Sequence, residues 1–109
     1  MKKPFKVGLI QMQMSPDKKK NLAHAIELLE KAAKKGVQVA CLPELFLSHY
    51  FCQTEDHATF ALAEEIPGPT TDALCKIAKK HKMVIVASLF ERRMAGIYHN
   101  TTAVIDADG

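Results

Sequence analysis

Apolar residues follow two rhythms along this chain. Between residues 5 and 12 the chain is mostly apolar, with Gly8 as the one turn-forming residue, and so short a run predicts a buried strand. From Leu22 the spacing changes. Leu22, Ala25, Ile26, Leu29, Ala32 and Ala33 recur every three or four residues, while Glu27, Glu30 and the lysines lie mostly off that stripe. This is an amphipathic helix with one buried side. Ser15, Pro16 and Asp17 ahead of it supply an N-cap, a residue suited to the first helical position and a first-turn acid, and Gly36 closes it. Residues 37–42, VQVACL, follow at once as a second strand, too short and too valine-rich for a helix. Strand, helix and strand make a βαβ unit, which predicts a parallel pair, a right-handed crossover and strands covered on both faces.

Residues 45–66 keep neither rhythm. LFLSHYFCQTEDHATFALAEEI is long for a connection, and long loops inside compact domains are usually functional; a short helix is expected over residues 55–64. Ile66-Pro67-Gly68-Pro69 reads as a rigid turn, with Thr70 as the expected cap of the next helix and Asp72 in its first turn. Leu74, Ile77 and Ala78 form that helix's stripe, and Lys79, Lys80 and Lys82 end it. Residues 83–90 predict a third strand, 92–96 a turn, and 97–105 a fourth strand antiparallel to the third. The order β-α-β-loop-α-β-β places the chain in the α/β class. The closing Asp106-Ala107-Asp108-Gly109 is a hairpin signal that asks for a partner strand, so residues 1–109 are expected to be a piece of a longer protein.

One acid stands out against this background. In VQVACLPELFL the second strand runs into Pro43, which has no N–H for a ladder and pushes its predecessor out of the helical region. Glu44 therefore falls just past the C-terminal end of a parallel strand, the edge at which open α/β sheets bind ligands. Flanked by Leu42, Leu45 and Phe46, its carboxylate is expected to be partly desolvated and so suited to proton transfer near neutral pH. Spacing alone leaves open a Glu that caps a local turn or pairs with a lysine.

Composition narrows the remaining choices. With 48% hydrophobic and 25% charged residues among 109, the chain suits one soluble domain and not a disordered segment. The net charge of +3 comes from lysine clusters at helix ends, without the interleaved aromatics of a nucleic-acid surface, so no nucleic-acid partner is expected. No apolar run approaches the roughly 20 residues of a membrane span, and the interrupted N-terminal stretch is not a secretory signal; a cytoplasmic protein without a membrane partner is expected.

Three cysteines without CxxC spacing fit a reducing compartment rather than a disulfide framework. Cys41 and Cys75 read as small core residues. Cys52 could pair with His49 or His57 as a nucleophile, or join Cys41, His49 and His57 around zinc, but the spacings match no common zinc pattern and packing beside Phe51 is the simpler reading. Tyr50 and Phe51 are candidates for a substrate-pocket wall, with loop anchoring the alternative. Glu91-Arg92 reads as an exposed ion pair at the last hairpin, and His99-Asn100 as residues near a site without an assigned role.

Four stretches in this order, VGLIQMQM, LPELF, IPGPTTDAL and YHNTTAVIDADG, resemble the N-terminal portion of the nitrilase, or carbon–nitrogen hydrolase, superfamily. Within it, ELFLSHYFCQTED is most similar to the N-carbamoylputrescine amidases. The resemblance spans all 109 residues. It implies that residues 1–109 form the N-terminal part of an αββα sandwich domain, truncated at a hairpin turn, and therefore a marginally stable fold in isolation. It also implies a Glu-Lys-Cys catalytic set with Glu44 as its acid. The lysine and cysteine of that set are expected beyond Gly109. The implied chemistry needs no metal or organic cofactor. The implied substrate is a small carbamoyl amine or amide, in the first place N-carbamoylputrescine, yielding putrescine, carbon dioxide and ammonia in polyamine synthesis. An ω-amide or a β-ureido acid is the alternative substrate, and a non-catalytic binding module the alternative role. The resemblance further implies a homo-oligomer for the whole protein.

Overall fold

The computed structural model describes residues 2–109. Four strands form one sheet in the order β1-β2-β3-β4: β1 (Val7–Leu9), β2 (Val39–Cys41), β3 (Val84–Met94) and β4 (Ile97–Ile105). The first three are parallel, and β4 returns antiparallel along β3. Helices α1 (Lys18–Lys34) and α2 (Pro69–His81) carry the crossovers, and a 3-10 helix (His57–Leu62) interrupts the long connection after β2. The expected α/β order is present, with β1 and β2 shorter than the apolar runs that announced them. The ladder needs pairing partners along its whole length, and here only three residues of β1 and three of β2 have them.

Ala25 and Leu29 of α1 and Leu74 and Ala78 of α2 pack on Ala40, Ile85, Ala87, Leu89 and Ile105 of the sheet, and all of these are buried. Phe46 from the long connection completes the same core. The opposite sheet face is not covered within residues 2–109: Val7, Leu9 and Val104 are exposed, and Val39, Cys41 and Val86 are half-buried. The strands of this chain are thus covered on one face, not both. The two helices are tied together by Glu30, which accepts from Lys80 at 2.9 Å and lies 3.5 Å from His81 Nε2; the Lys80 ammonium, then His81, hold this carboxyl below its usual value.

Both helix starts differ from expectation by a small displacement with a clear cause. Asp17, not Ser15, caps α1: its carboxylate accepts the Lys19 and Lys20 N–H groups at 2.9 and 3.2 Å, and a charged acceptor is favoured at the positive helix end. Ser15 instead serves the buried Asn21, whose Oδ1 accepts from the Ser15 backbone and hydroxyl and whose Nδ2 donates to the carbonyls of Ser15 and Leu47. For α2 the cap is Gly68 rather than Thr70, because Pro69 occupies the first helical position. A Cβ at Gly68 would stand 2.3 Å from the Glu65 carbonyl oxygen, so only glycine fits. Thr71 Oγ1 accepts from the Gly68 N–H at 2.7 Å, and the Thr70 N–H donates to Glu64 Oε1 at 3.2 Å.

The β3–β4 hairpin is longer than its apolar pattern indicated. Glu91, Arg92 and Met94 remain in the ladder, with a bulge between Arg92 and Met94. Glu91 is therefore not half of an exposed ion pair. Its side chain alternates onto the helix-facing side, where the residue is 7% exposed and accepts from Thr101 Oγ1 at 2.7 Å. Asn21 joins the entry of α1 to the loop behind Glu44, so Asn21→Ala leaves the Ser15 N–H and the Ser15 and Leu47 carbonyls without this partner. The expected outcome is a loss of about 2–3 kcal/mol, read as a lowered urea midpoint at unchanged slope.

Candidate active site

The parallel ladder stops where the sequence requires it to stop. The Leu42 N–H donates to the Val86 carbonyl at 2.9 Å, and Pro43 then has nothing to donate. The chain turns at Leu45, which holds a left-handed conformation with φ of 50°. For a leucine this costs roughly 1–2 kcal/mol, and burial together with one hydrogen bond offsets it. Leu45 is 3% exposed, and its N–H donates to Ser88 Oγ at 3.0 Å. Leu42, Leu45 and Phe46 all turn into the core, which leaves Glu44 as the outward residue of the turn.

Glu44 lines an open depression of about 380 Å3 with Cys41, Leu42, Val86, Ser88, Asn100 and Thr102. Its carboxylate accepts from Asn100 Nδ2 at 2.7 Å, and Asn100 Oδ1 accepts from the Ser88 hydroxyl at 3.3 Å. The expected desolvation is not a property of residues 2–109. Glu44 is exposed, because its apolar neighbours in sequence point the other way and the sheet face beside it is open. Its polar partners come from β3 and β4. Asn100, left without a role on sequence grounds, touches the carboxylate, and Ser88 was missed altogether. The available signal was Ser88 as the lone polar residue on the Val84, Val86, Ser88, Phe90 face, together with the hairpin register that lays Asn100 against Phe90.

Tyr50 is 51% exposed and Phe51 half-buried, and neither lines the depression. Phe51 packs on Phe90, with ring centroids 4.9 Å apart, and Phe60 and Tyr98 extend the aromatic group over the same sheet face. Phe51 thus anchors the loop beside Asn100. The Tyr50 phenol is pushed above its usual value near 10, chiefly by a hydrogen bond with the Cys52 side chain and by its charge, then by the negative charge of Glu44.

His49 and His57 do not join Cys41 and Cys52: among the described residues no group of three or more His, Cys, Asp or Glu is disposed to hold a metal ion. At its far end the loop is pinned by Glu64, which pairs with Lys18 and exchanges backbone hydrogen bonds with Phe90 and Arg92.

The fold and the site together define an α/β layer that presents one oriented carboxylate at the carboxyl edge of its parallel strands. Residues 6–109 match the family model for carbon-nitrogen hydrolase, and the chain belongs to that family. It is 38% identical over 105 residues to an omega-amidase of Bos taurus, covering 96% of this chain and 37% of that protein. It is 36% identical over 104 residues to the N-carbamoylputrescine amidase of Solanum lycopersicum, covering 94% of this chain and 34% of that protein. A crystal structure of a carbon-nitrogen hydrolase from Helicobacter pylori superposes with a TM-score of 0.85 at 36% identity, over 95% of this chain and 36% of that one. The chain spans little more than a third of the length of these relatives.

The Tyr50 shift can be read directly, since the chain has two tyrosines and no tryptophan. In a near-ultraviolet absorbance titration, with Tyr50→Phe as the reference, the Tyr50 midpoint is expected above 10. It is expected to move down in Glu44→Gln, which removes the repelling charge, and further down in Cys52→Ala.

Proposed function

We propose that the protein carrying this chain hydrolyses a terminal amide of a small molecule, with Glu44 as its proton-transferring acid and base. The observation that carries this reading is the aimed carboxylate: Glu44 stands at the end of a parallel strand and faces a depression, held there by Asn100. Membership of the carbon–nitrogen hydrolase family supports the reaction class. Omega-amidases from cattle, frogs, mouse, human and Arabidopsis are among its relatives, at 33–38% identity, and they favour an ω-amide as substrate. The resemblance of ELFLSHYFCQTED and the tomato enzyme favour N-carbamoylputrescine as the second reading.

The chemistry assigns Glu44 a proton at each stage. A cysteine thiol, which the family resemblance places beyond residue 109, adds to the amide carbon as its proton passes to the carboxylate. The proton then goes to the leaving nitrogen, ammonia departs, and a thioester remains. Glu44 next takes a proton from water, hydroxide adds to the thioester, and the acid product leaves as the thiol regains its proton. A lysine ammonium, which the resemblance also places beyond residue 109, would stabilise the oxyanion. A carbamoyl amine would follow the same course and release amine, ammonia and carbon dioxide.

In the protein that carries this chain, Glu44→Gln is expected to lower kcat by about 100- to 10,000-fold, with ammonia release as the assay. A panel of ω-amides and N-carbamoyl amines is expected to show the higher kcat/KM for an ω-amide; the reverse order would favour the second reading. Residues 1–109 alone are expected to release no ammonia from either class.

A further inference from the structure

We infer that Asn100 is a positioning residue for Glu44, and that Ser88 fixes which way its amide faces. The inference rests on the reading of Glu44 as the proton-transferring group. Its basis is a closed ring of donors and acceptors. The Leu45 N–H donates to Ser88 Oγ at 3.0 Å. The Ser88 hydroxyl donates to Asn100 Oδ1 at 3.3 Å. Asn100 Nδ2 donates to Glu44 Oε1 at 2.7 Å, and the peptide bond from Glu44 to Leu45 closes the circuit. Each polar group has one assignment consistent with the others. An ionised carboxylate can only accept, so the NH2 end of the amide must face it, and the amide oxygen must then face Ser88. Ser88 already accepts from Leu45, so its single proton is free to hold that oxygen.

The ring couples two things the reaction needs. It supports the left-handed turn at Leu45 that sends Glu44 outward, and it selects one carboxylate oxygen as the fixed one. Glu44 itself lines the depression, where a reacting proton would be exchanged. The side chains on β3 and β4 that line the depression, Val86, Ser88, Asn100 and Thr102, do not titrate. Cys41 lines it from β2, and from the loop the Tyr50 phenol responds to the charge of Glu44. His99 and Glu91 alternate to the other side of the sheet and do not face the carboxylate. Asn100 is thus the lining group that donates to the acid, and it does so without adding a charge.

The test uses the protein that carries this chain. Asn100→Ala is expected to lower kcat roughly 10- to 100-fold with KM within about threefold, since the acid remains but is no longer aimed. Asn100→Asp places a second carboxylate beside Glu44 and is expected to move the acid limb of the pH–rate profile upward by about one unit or more. Ser88→Ala is expected to reproduce part of the Asn100→Ala loss, and Ser88→Thr, which keeps the hydroxyl, to restore it. A readout without turnover accompanies these. The side-chain amide resonances of Asn100 are expected to shift as the carboxylate is protonated, and to be insensitive to acid in Glu44→Gln. Unchanged kcat in Asn100→Ala and an unmoved acid limb in Asn100→Asp, with Glu44→Gln inactive, overturn the positioning role and leave the role of Glu44 standing. Full activity in Glu44→Gln overturns the reading of the acid instead. Asn100 resonances that ignore pH in the unsubstituted protein overturn the contact itself, whatever the activity.

Discussion

The structure turns on the place where the β2 ladder ends. Up to Leu42 the backbone is paired, through the bond from its N–H to the Val86 carbonyl. One residue later the backbone cannot donate to the ladder, because Pro43 has no N–H. Leu45 must then reverse the chain in a conformation unfavourable for a leucine, and it is kept there by burial and by Ser88. Glu44 sits between the forbidden bond and the forced turn. Its direction is a result of backbone constraints on either side, more than of any preference of its own side chain.

Around that point, polar groups are used sparingly and each does several tasks. Asn21 links the start of α1 to the loop behind Glu44. Glu64 accepts the first amide of α2, pairs with Lys18 at the start of α1, and hydrogen-bonds through its backbone to β3. Polar groups withdrawn from water carry a desolvation cost, which the hydrogen bonds of Asn21 and Glu64 offset. What they secure is register: helix starts, sheet and loop are referred to one another by a few atoms.

The strand–helix–strand opening was legible because its signals are local. The α1 stripe and Gly36 stand in the sequence, and Gly36 does adopt a left-handed φ of 80° after the helix. The position of Glu44 was legible for the same reason, since Pro43 acts on its immediate neighbours. What escaped depends on contacts far apart in sequence. Ser15 resembles a cap until Asn21 claims it, and Glu91 reads as a surface charge until the hairpin register puts Thr101 across from Leu89, within reach of it. Asn100 meets Glu44 across 56 positions, a separation that no local pattern encodes. The exposure of Glu44 escaped too, because apolar neighbours in sequence predict desolvation only when they are also neighbours in space.

The long connection after β2 is fastened at its two ends and little in between. Asn21 and Ser88 grip its beginning, Glu64 its end, and Phe51 rests on Phe90 midway. The stretch from His49 to Asp56 is half-buried or exposed throughout. Such a segment can be lengthened, shortened or rewritten at its crown while the acid stays where it is. Variation there would change what rests on the open sheet face and leave the turn that carries Glu44 untouched.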